Sequence, residues 1–514
     1  MTSPATPSKN IFLRWALLLL VLFLGAALQY IVFERVMGKR ELAAWKKEMR
    51  AKGEKFTLEE LEIPKIPKEG NGACELLSAI SELNLLTETC PLPSNIPSIR
   101  FIAPGRVISL LDFDNLEKIF SPSSRSDLFR KTLPTWQELE KEITLGGKAL
   151  KQAREALRQP YLGVELDYKK GLRPNIRHVN ITRYLAQWLS ASAIHYLHQG
   201  DFDKVLEDIE STALLSRFLK NDRVLLSKLV RIAIGSMGLY TTWQALQAPD
   251  WNEAQLQKLQ QIWQSTSFID DLPKALEMER IMGTSAIEEF RRSNKGLNSF
   301  LTSWNGTGSS PGSSYKEFFR ESVDILYTTS WRMLWSEQDE LRLSQIWQKN
   351  LEGARAAIAA KSWLKGQPVF KQAETLVAPS SAYNRLKHPF TYTMETLLDH
   401  AVLNCMRYEV QREMTVTAIA LKRYYLKFKK YPATLQELVP TYLSDLPIDY
   451  MDGKPLRYYL NSDGSFTLYS IGEDGVDYHG DPAPKDKMSA PPFNGLDIVW
   501  PARATKKEIE TFKP

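Results

Sequence analysis

Cysteine is scarce in this chain. The three present among 514 residues, Cys74, Cys90 and Cys405, form neither a C-x-x-C pair nor an even set, which argues against a disulfide-stapled domain and against a zinc ribbon. At most Cys74 and Cys90 pair, and the plain reading of all three is small buried apolar side chains. A Gly-rich phosphate loop is missing, and no serine carries the flanks of a nucleophile elbow. An excess of one charge sign is missing too. The 66 basic and 60 acidic residues leave +6 with the signs mixed along the chain. No basic stripe forms, so nucleic acid is not expected as a partner.

Long apolar runs are confined to the N-terminus. From Ile11 to Phe33 only Arg14 and Gln29 interrupt an apolar stretch of the length that crosses about 30 Å of hydrocarbon as a helix. Arg14 lies near one end, where it can snorkel, and Trp15 and Tyr30 suit the two interfaces. A cleaved signal sequence ending near Gly25-Ala26-Ala27 is the competing reading. The apolar run continues past that point to Phe33, further than a signal core requires, so an uncleaved single-pass anchor is expected. Arg35, Lys39, Arg40, Lys46, Lys47, Arg50 and Lys52 follow it, and the positive-inside bias alone would put the body in the cytoplasm.

The chain is too long for one compact core, and its punctuation divides it. Residues 1–33 are the N-terminal tail and transmembrane anchor. Residues 34–70 are a charged helix ending at Gly53 and a Pro-rich linker containing Pro64 and Pro67. Residues 71–390 are a helical body, opened by Asn71 as an N-cap, with a flexible Ser/Gly/Asn-rich loop near 293–314. Residues 391–500 are a long helix, Thr391 to Lys429, and a small α+β domain, followed by a tail, 501–514. Leu364 to Pro389 reads as irregular because of its prolines.

Within the body, Asn180 to His198 and the helix after Gly200-Asp201 carry apolar residues at helical spacing. A turn this short makes them pack antiparallel. Tyr196, Gly200-Asp201-Phe202-Asp203 and Leu206-Glu207-Asp208 look like the turn of a tetratricopeptide repeat, although the 34-residue period does not recur. His195 and His198 lie three apart, a spacing that more often marks ordinary helix residues than a zinc site. Asp208 and Glu210, two apart, do not face each other on a helix and read as a solvated face. Asp399-His400 has no flanking signature. Trp188, Trp243, Trp251, Trp263, Trp331, Trp335 and Trp347 are spread over the helices and read mainly as core. A groove between hairpins that takes a peptide or partner helix is the functional alternative.

The C-terminal domain has the clearest local signals. Tyr431-Pro432 ends the long helix, Thr434 caps a short one, and Asn461-Ser462-Asp463-Gly464 is a tight turn between two aromatic-rich strands. Behind them stand Leu468-Tyr469-Ser470-Ile471-Gly472-Glu473-Asp474-Gly475 and the closing Leu496-Asp497-Ile498-Val499-Trp500. Residues 416–500 resemble the C-terminal domain of the major pseudopilin of type II secretion. The resemblance implies an extracytoplasmic globular part, opposite to the charge bias, and a loop that binds calcium. Asp474 matches the family's Gly-x-Asp-Gly position and Asp497 its closing Asp-Ile. Asp477 and Asp481 are nearby candidates, and irregular oxygen-rich loops suit that ion. The loop departs from the family's glycine-rich version at His479, Pro482 and Pro484. The Gly-Phe-Thr-Leu-x-Glu processing signal is absent from Lys9-Asn10-Ile11-Phe12-Leu13-Arg14, so a filament subunit is not expected.

The fold expected is therefore mainly α: an anchor helix, an irregular helical-hairpin body and a small C-terminal α+β pseudopilin-like domain with a β-hairpin. The function expected is that of a non-catalytic, membrane-anchored scaffold or adaptor of the cell envelope, associated with a secretion or pilus-like assembly. Protein partners would dock on the helical body or the C-terminal domain, with the large domain periplasmic. The rival is a membrane-tethered hydrolase whose active site is assembled from residues distant in sequence.

Overall fold

The computed structural model describes residues 9–63, 65–87, 89–90, 99–112, 135–170, 174–293, 326–377, 381–394, 398–485, 493 and 495–511. It is mostly helical. The loop expected near 293–314 lies outside these residues apart from Ser293, as do 113–134 and 315–325.

Anchor and charged helix form one rod, α1 (Lys9–Ala51), of 43 residues, roughly 65 Å long at 1.5 Å per residue. The two halves meet different surroundings. In the most apolar stretch nothing is buried, and Leu17 through Leu24 are all solvent-exposed. This is the one helix among the described residues long and apolar enough to cross a membrane. In the charged half, Gly38, Leu42 and Met49 are buried at intervals of four and seven, the stripe of a helix packed along one side. Gly53 turns the chain with φ +88, a left-handed conformation that costs glycine little.

The body begins with α2 (Ala73–Leu86), strands β1 (Phe101–Ala103) and β2 (Arg106–Val107), and helices α3 (Trp136–Leu145) and α4 (Gly147–Leu157). The Asn71 side chain accepts the Ala73 N–H at 3.1 Å, although Gly72 occupies the cap position itself. Then come α5 (Arg177–Gln199), α6 (Phe202–Phe218), α7 (Leu225–Leu246), α8 (Glu253–Gln264) and α9 (Leu272–Arg292). The α5–α6 hairpin follows the sequence reading: Gly200 ends α5 in the left-handed region at φ +76, and Asp201 caps α6 through the Lys204 N–H. One apolar core gathers α2 to α5 around the fully buried Trp188.

The second half holds a π-helical turn (Trp331–Trp335), α10 (Ser336–Ala359), α11 (Trp363–Val377), α12 (Ala382–Lys387), α13 (Pro389–Met394) and α14 (Leu398–Phe428). The stretch expected to be irregular after Leu364 is instead largely helical, with Pro368 inside α11. Burial outweighs the proline penalty there: Trp363 stacks on Phe370 with ring centroids 5.0 Å apart, and both rings are buried. The long helix expected from Thr391 falls on two described helices, α13 and α14, on either side of residues 395–397, which lie outside the described residues. Thr391 belongs to α13, whose first turn is capped by the buried Asp339 carboxylate through the N–H groups of Phe390 and Thr391.

The C-terminal region follows its local signals closely. Thr434 and Glu437 form a capping box on a 3-10 turn, Leu435–Leu438. Strands β3 (Arg457–Leu460) and β4 (Phe466–Ser470) pair antiparallel around the predicted turn, and β5 (Ile498–Val499) extends the sheet on β4. The described apolar residues of this region share a core with the body. Leu438, Leu468, Ile471 and Ile498 belong to the same apolar cluster as Trp251, Trp263, Val402 and Val410. Residues read as a tail also have structure. Strand β6 (Ala502–Arg503) pairs in parallel with β2, and α15 (Lys506–Thr511) follows it.

Packing is tightest where α9 crosses α10. A Cβ built on Gly283 would lie 1.6 Å from the Trp347 ring, and both neighbours are buried helices. Gly283→Ala is expected to destabilise the protein by about 1–3 kcal/mol or more through overpacking. Thermal denaturation checks this, with Gly147→Ala, which meets nothing within 4 Å, as the control.

Candidate functional site

A cavity of about 650 Å³ opens where three segments converge. The stretch after Gly53 supplies Leu58, Leu61, Ile63 and Ile66; the loop before α5 supplies Leu162, Val164, Leu166 and Tyr168; the α6–α7 turn and the start of α9 supply Lys220, Arg223 and Lys274. The Pro-rich linker is thus docked on the body. Leu61 is buried against Tyr168 and Met278, and Gly70, Gly72 and Tyr161 exchange backbone hydrogen bonds at 3.1 Å. Arg223 fastens it further, donating its side chain to the Glu62 carbonyl at 2.9 Å and its N–H to the Tyr168 hydroxyl at 2.9 Å.

The floor of the cavity is charged. The Lys228 ammonium and the Arg231 guanidinium both contact the Asp271 carboxylate. Lys228 also donates to the Lys220 carbonyl at 2.7 Å. All three side chains are buried, and burial holds the Lys228 ammonium below the usual lysine range despite the pull of Asp271. Lys65, Lys169, Lys220 and Lys274 stand exposed around the mouth. Glu59, Glu165 and Asp167 are exposed in the same lining, so the site offers an apolar wall, a rim of mixed charge in which basic side chains outnumber acidic ones, and a floor where one carboxylate serves two cations, a surface that suits an apolar segment. A signal for it was present in the sequence: Lys228 and Arg231, with Ser227, interrupt the apolar Leu225–Ile232 run, and a basic pair on a buried helix needs an acid.

A serine, an aspartate and a histidine meet beside this cavity. Asp222 Oδ2 receives the Ser227 hydroxyl at 2.9 Å and lies 2.9 Å from His178 Nε2. The carboxylate sits between the other two, so hydroxyl and imidazole both address Asp222. A nucleophile is activated when the base faces the hydroxyl. All three residues are buried, and the cluster ties α5 to the start of α7.

The remaining titratable residues singled out in the sequence sit apart. Asp208 is fully buried rather than on a solvated face. It is paired with Arg154 at 2.6 Å, and burial pushes its carboxyl up to about 6. Glu210 points elsewhere, toward Arg158 and Lys258. His198 stacks on Trp136 with centroids 4.0 Å apart, while His195 is buried and held below the usual histidine range by that burial.

The four aspartates of the C-terminal loop divide into two kinds. Asp474 is paired with Lys485 at 2.7 Å, and Asp481 closes its own turn on the Ala483 N–H at 2.9 Å. Asp477 and Asp497 flank the 478–480 turn. Asp477 accepts from the Tyr469 hydroxyl at 3.1 Å. Asp497 accepts from the Tyr478 and Gly480 N–H groups at 3.1 and 2.7 Å. Its other oxygen, Oδ1, is buried without a partner, and burial raises its carboxyl above the usual range. Among the described residues no three His, Cys, Asp or Glu side chains converge as a metal site.

Comparison with protein-family models, curated proteins and solved structures gives no match, so the site is assigned on its geometry. Asp271→Ala strands two buried cations and is expected to cost roughly 3–5 kcal/mol. Lys274→Ala, at the exposed mouth, should stay within about 0.5 kcal/mol. Chemical denaturation of the two variants checks the contrast.

Proposed function

We propose that the protein is a non-catalytic, membrane-anchored scaffold or adaptor of the cell envelope. Its partner would insert an extended, apolar and acidic segment into the cavity between residues 58–67, 161–169 and the α6–α7 turn. The observation that carries this reading is the cavity itself: an apolar wall with four exposed lysines at its mouth, which outnumber the exposed Glu59, Glu165 and Asp167 there. The wall suits alternate side chains of an extended segment, and the lysines favour a negatively charged one.

The pseudopilin-like reading of residues 416–500 belongs to the same proposal. It is supported by the succession of α14, capped turn, β3–β4 hairpin and β5, and it favours a periplasmic body associated with a secretion or pilus-like assembly. The rival, a membrane-tethered hydrolase, has Ser227, Asp222 and His178 beside the cavity, in an order that puts the carboxylate and not the imidazole against the hydroxyl.

Photo-crosslinking in membranes tests the reading. A photoreactive residue replacing Ile63 should capture envelope proteins, whereas the same residue at Asp463, on the hairpin turn, should not. Capture of cytoplasmic proteins would reverse the orientation, and equal patterns from the two positions would remove the cavity as the docking site.

Calcium enters this reading at Asp497 and Asp477, where a cation would satisfy the partnerless Asp497 oxygen. Calcium at about 1 mM, the range of extracellular modules, should raise the Tm of the protein, and Asp497→Asn should abolish the rise. An unchanged Tm in the wild-type protein would take calcium out of the proposal.

A further inference from the structure

We propose that the body makes a second contact with the membrane, separate from the anchor, through α12 and the residues leading into α10, which rest in the headgroup–acyl boundary beside α1. The inference depends on α1 spanning the bilayer and goes beyond the scaffold reading.

Two contacts fix the depth of α12. The Tyr383 hydroxyl lies 3.0 Å from the Tyr30 hydroxyl, and the Lys387 ammonium donates to Glu34 at 3.2 Å. Tyr383 and Lys387 are one helical turn apart, and so are Tyr30 and Glu34. The short helix therefore runs alongside α1 in the same direction, with its N-terminal end the deeper. Beyond Tyr30 the anchor is still apolar through Ile31, Val32 and Phe33. The Tyr383 ring consequently lies level with the apolar span, within about 5 Å of its end at 1.5 Å per residue.

Large apolar side chains near that level stay about half exposed among the described residues. Tyr383 is 46% exposed, Leu386 53% and Met333 44%. The Tyr327 hydroxyl donates to the Leu386 carbonyl at 3.0 Å, and Trp335 meets Tyr383 edge-on at 5.9 Å. These contacts bind the stretch before α10 to the same surface. A water-facing patch of this kind is costly, whereas a tyrosine-bearing patch continuous with a membrane span suits the interface. Charge agrees with the assignment. Arg35, Lys39 and Arg40 on α1 are exposed above it, where phosphate headgroups would stand, and the exposed Arg385 on α12, at the level of the patch, has the length to snorkel to them.

The test is depth-resolved fluorescence quenching of the full chain in lipid nanodiscs of mixed anionic and zwitterionic lipid. Cys74, the exposed thiol, is first replaced by serine, and an environment-sensitive dye is attached in separate Leu386→Cys and Met333→Cys variants. Leu20→Cys reports on the anchor and Asp463→Cys on bulk water. Both surface labels are expected to emit at shorter wavelength than the Asp463 label. They should lose most of their emission to lipids spin-labelled near the headgroup and little to aqueous iodide. If the Leu20 label is quenched by lipid but the other two respond only to iodide, the second contact is refuted while the anchor stands. Shielding from both quenchers would also overturn it, because a protein and not lipid would cover the patch. A Leu20 label untouched by lipid would refute the anchor reading on which the inference depends.

Discussion

Glu54 closes the anchor helix onto the body, and the rest of the arrangement depends on that contact. Its carboxylate lies between Arg355 and Arg280, the latter 3.2 Å away and fully buried. Arg280 also reaches the Lys55 carbonyl at 2.8 Å and covers the Phe56 ring at 4.6 Å. Two further pairs secure the same helix: Lys46 with Glu340 at 2.5 Å and Glu34 with Lys387 at 3.2 Å. Isolated surface pairs contribute little. These bring buried charges together along one seam, so removing one partner strands the other in a medium where charge is expensive. The seam makes α1 a member of the body and not a tether. It also turns the chain so that residues 58–67 lie along the α6–α7 turn, which is how the cavity acquires its apolar wall.

What was legible in the sequence was local. The apolar run of α1, the Gly200-Asp201 junction, the Thr434 cap and the Asp463-Gly464 turn each announce themselves within a few residues. Each is present as read, because caps and turns are decided by neighbouring side chains. The misreadings are non-local. Pro368 marks a breaker, yet Trp363 and Phe370 hold a helix around it. Asp208 follows a pattern of charged residues that looks solvated, yet Arg154, 54 positions earlier, meets it in the interior. The cavity could not be assembled from the sequence at all, since its walls come from three segments that no periodicity relates. Only the basic pair Lys228 and Arg231 within an apolar helix hinted that an acid such as Asp271 was waiting elsewhere.

Sharing of cores follows the same logic. The C-terminal unit was read as a hairpin packed on a helix, and its sheet is small, with an apolar face that needs a larger surface to cover. Helix α14 provides it, presenting Val402, Met406 and Val410 to the body and Leu421 and Tyr424 to the capped turn within a single cluster. A unit of this kind gains its stability from the body and cannot be exchanged independently of it.

The pairing of β6 with β2 gives the molecule a temporal property. Arg106 and Val107 meet Ala502 and Arg503, and Trp243 donates to the Pro501 carbonyl at 2.9 Å. The edge of β2 must therefore wait, open, for a segment made far later in the chain. Until that segment is synthesised the nascent chain carries an unfilled strand position, exposed to neighbouring chains. The order of synthesis is thereby written into the closing of this small sheet.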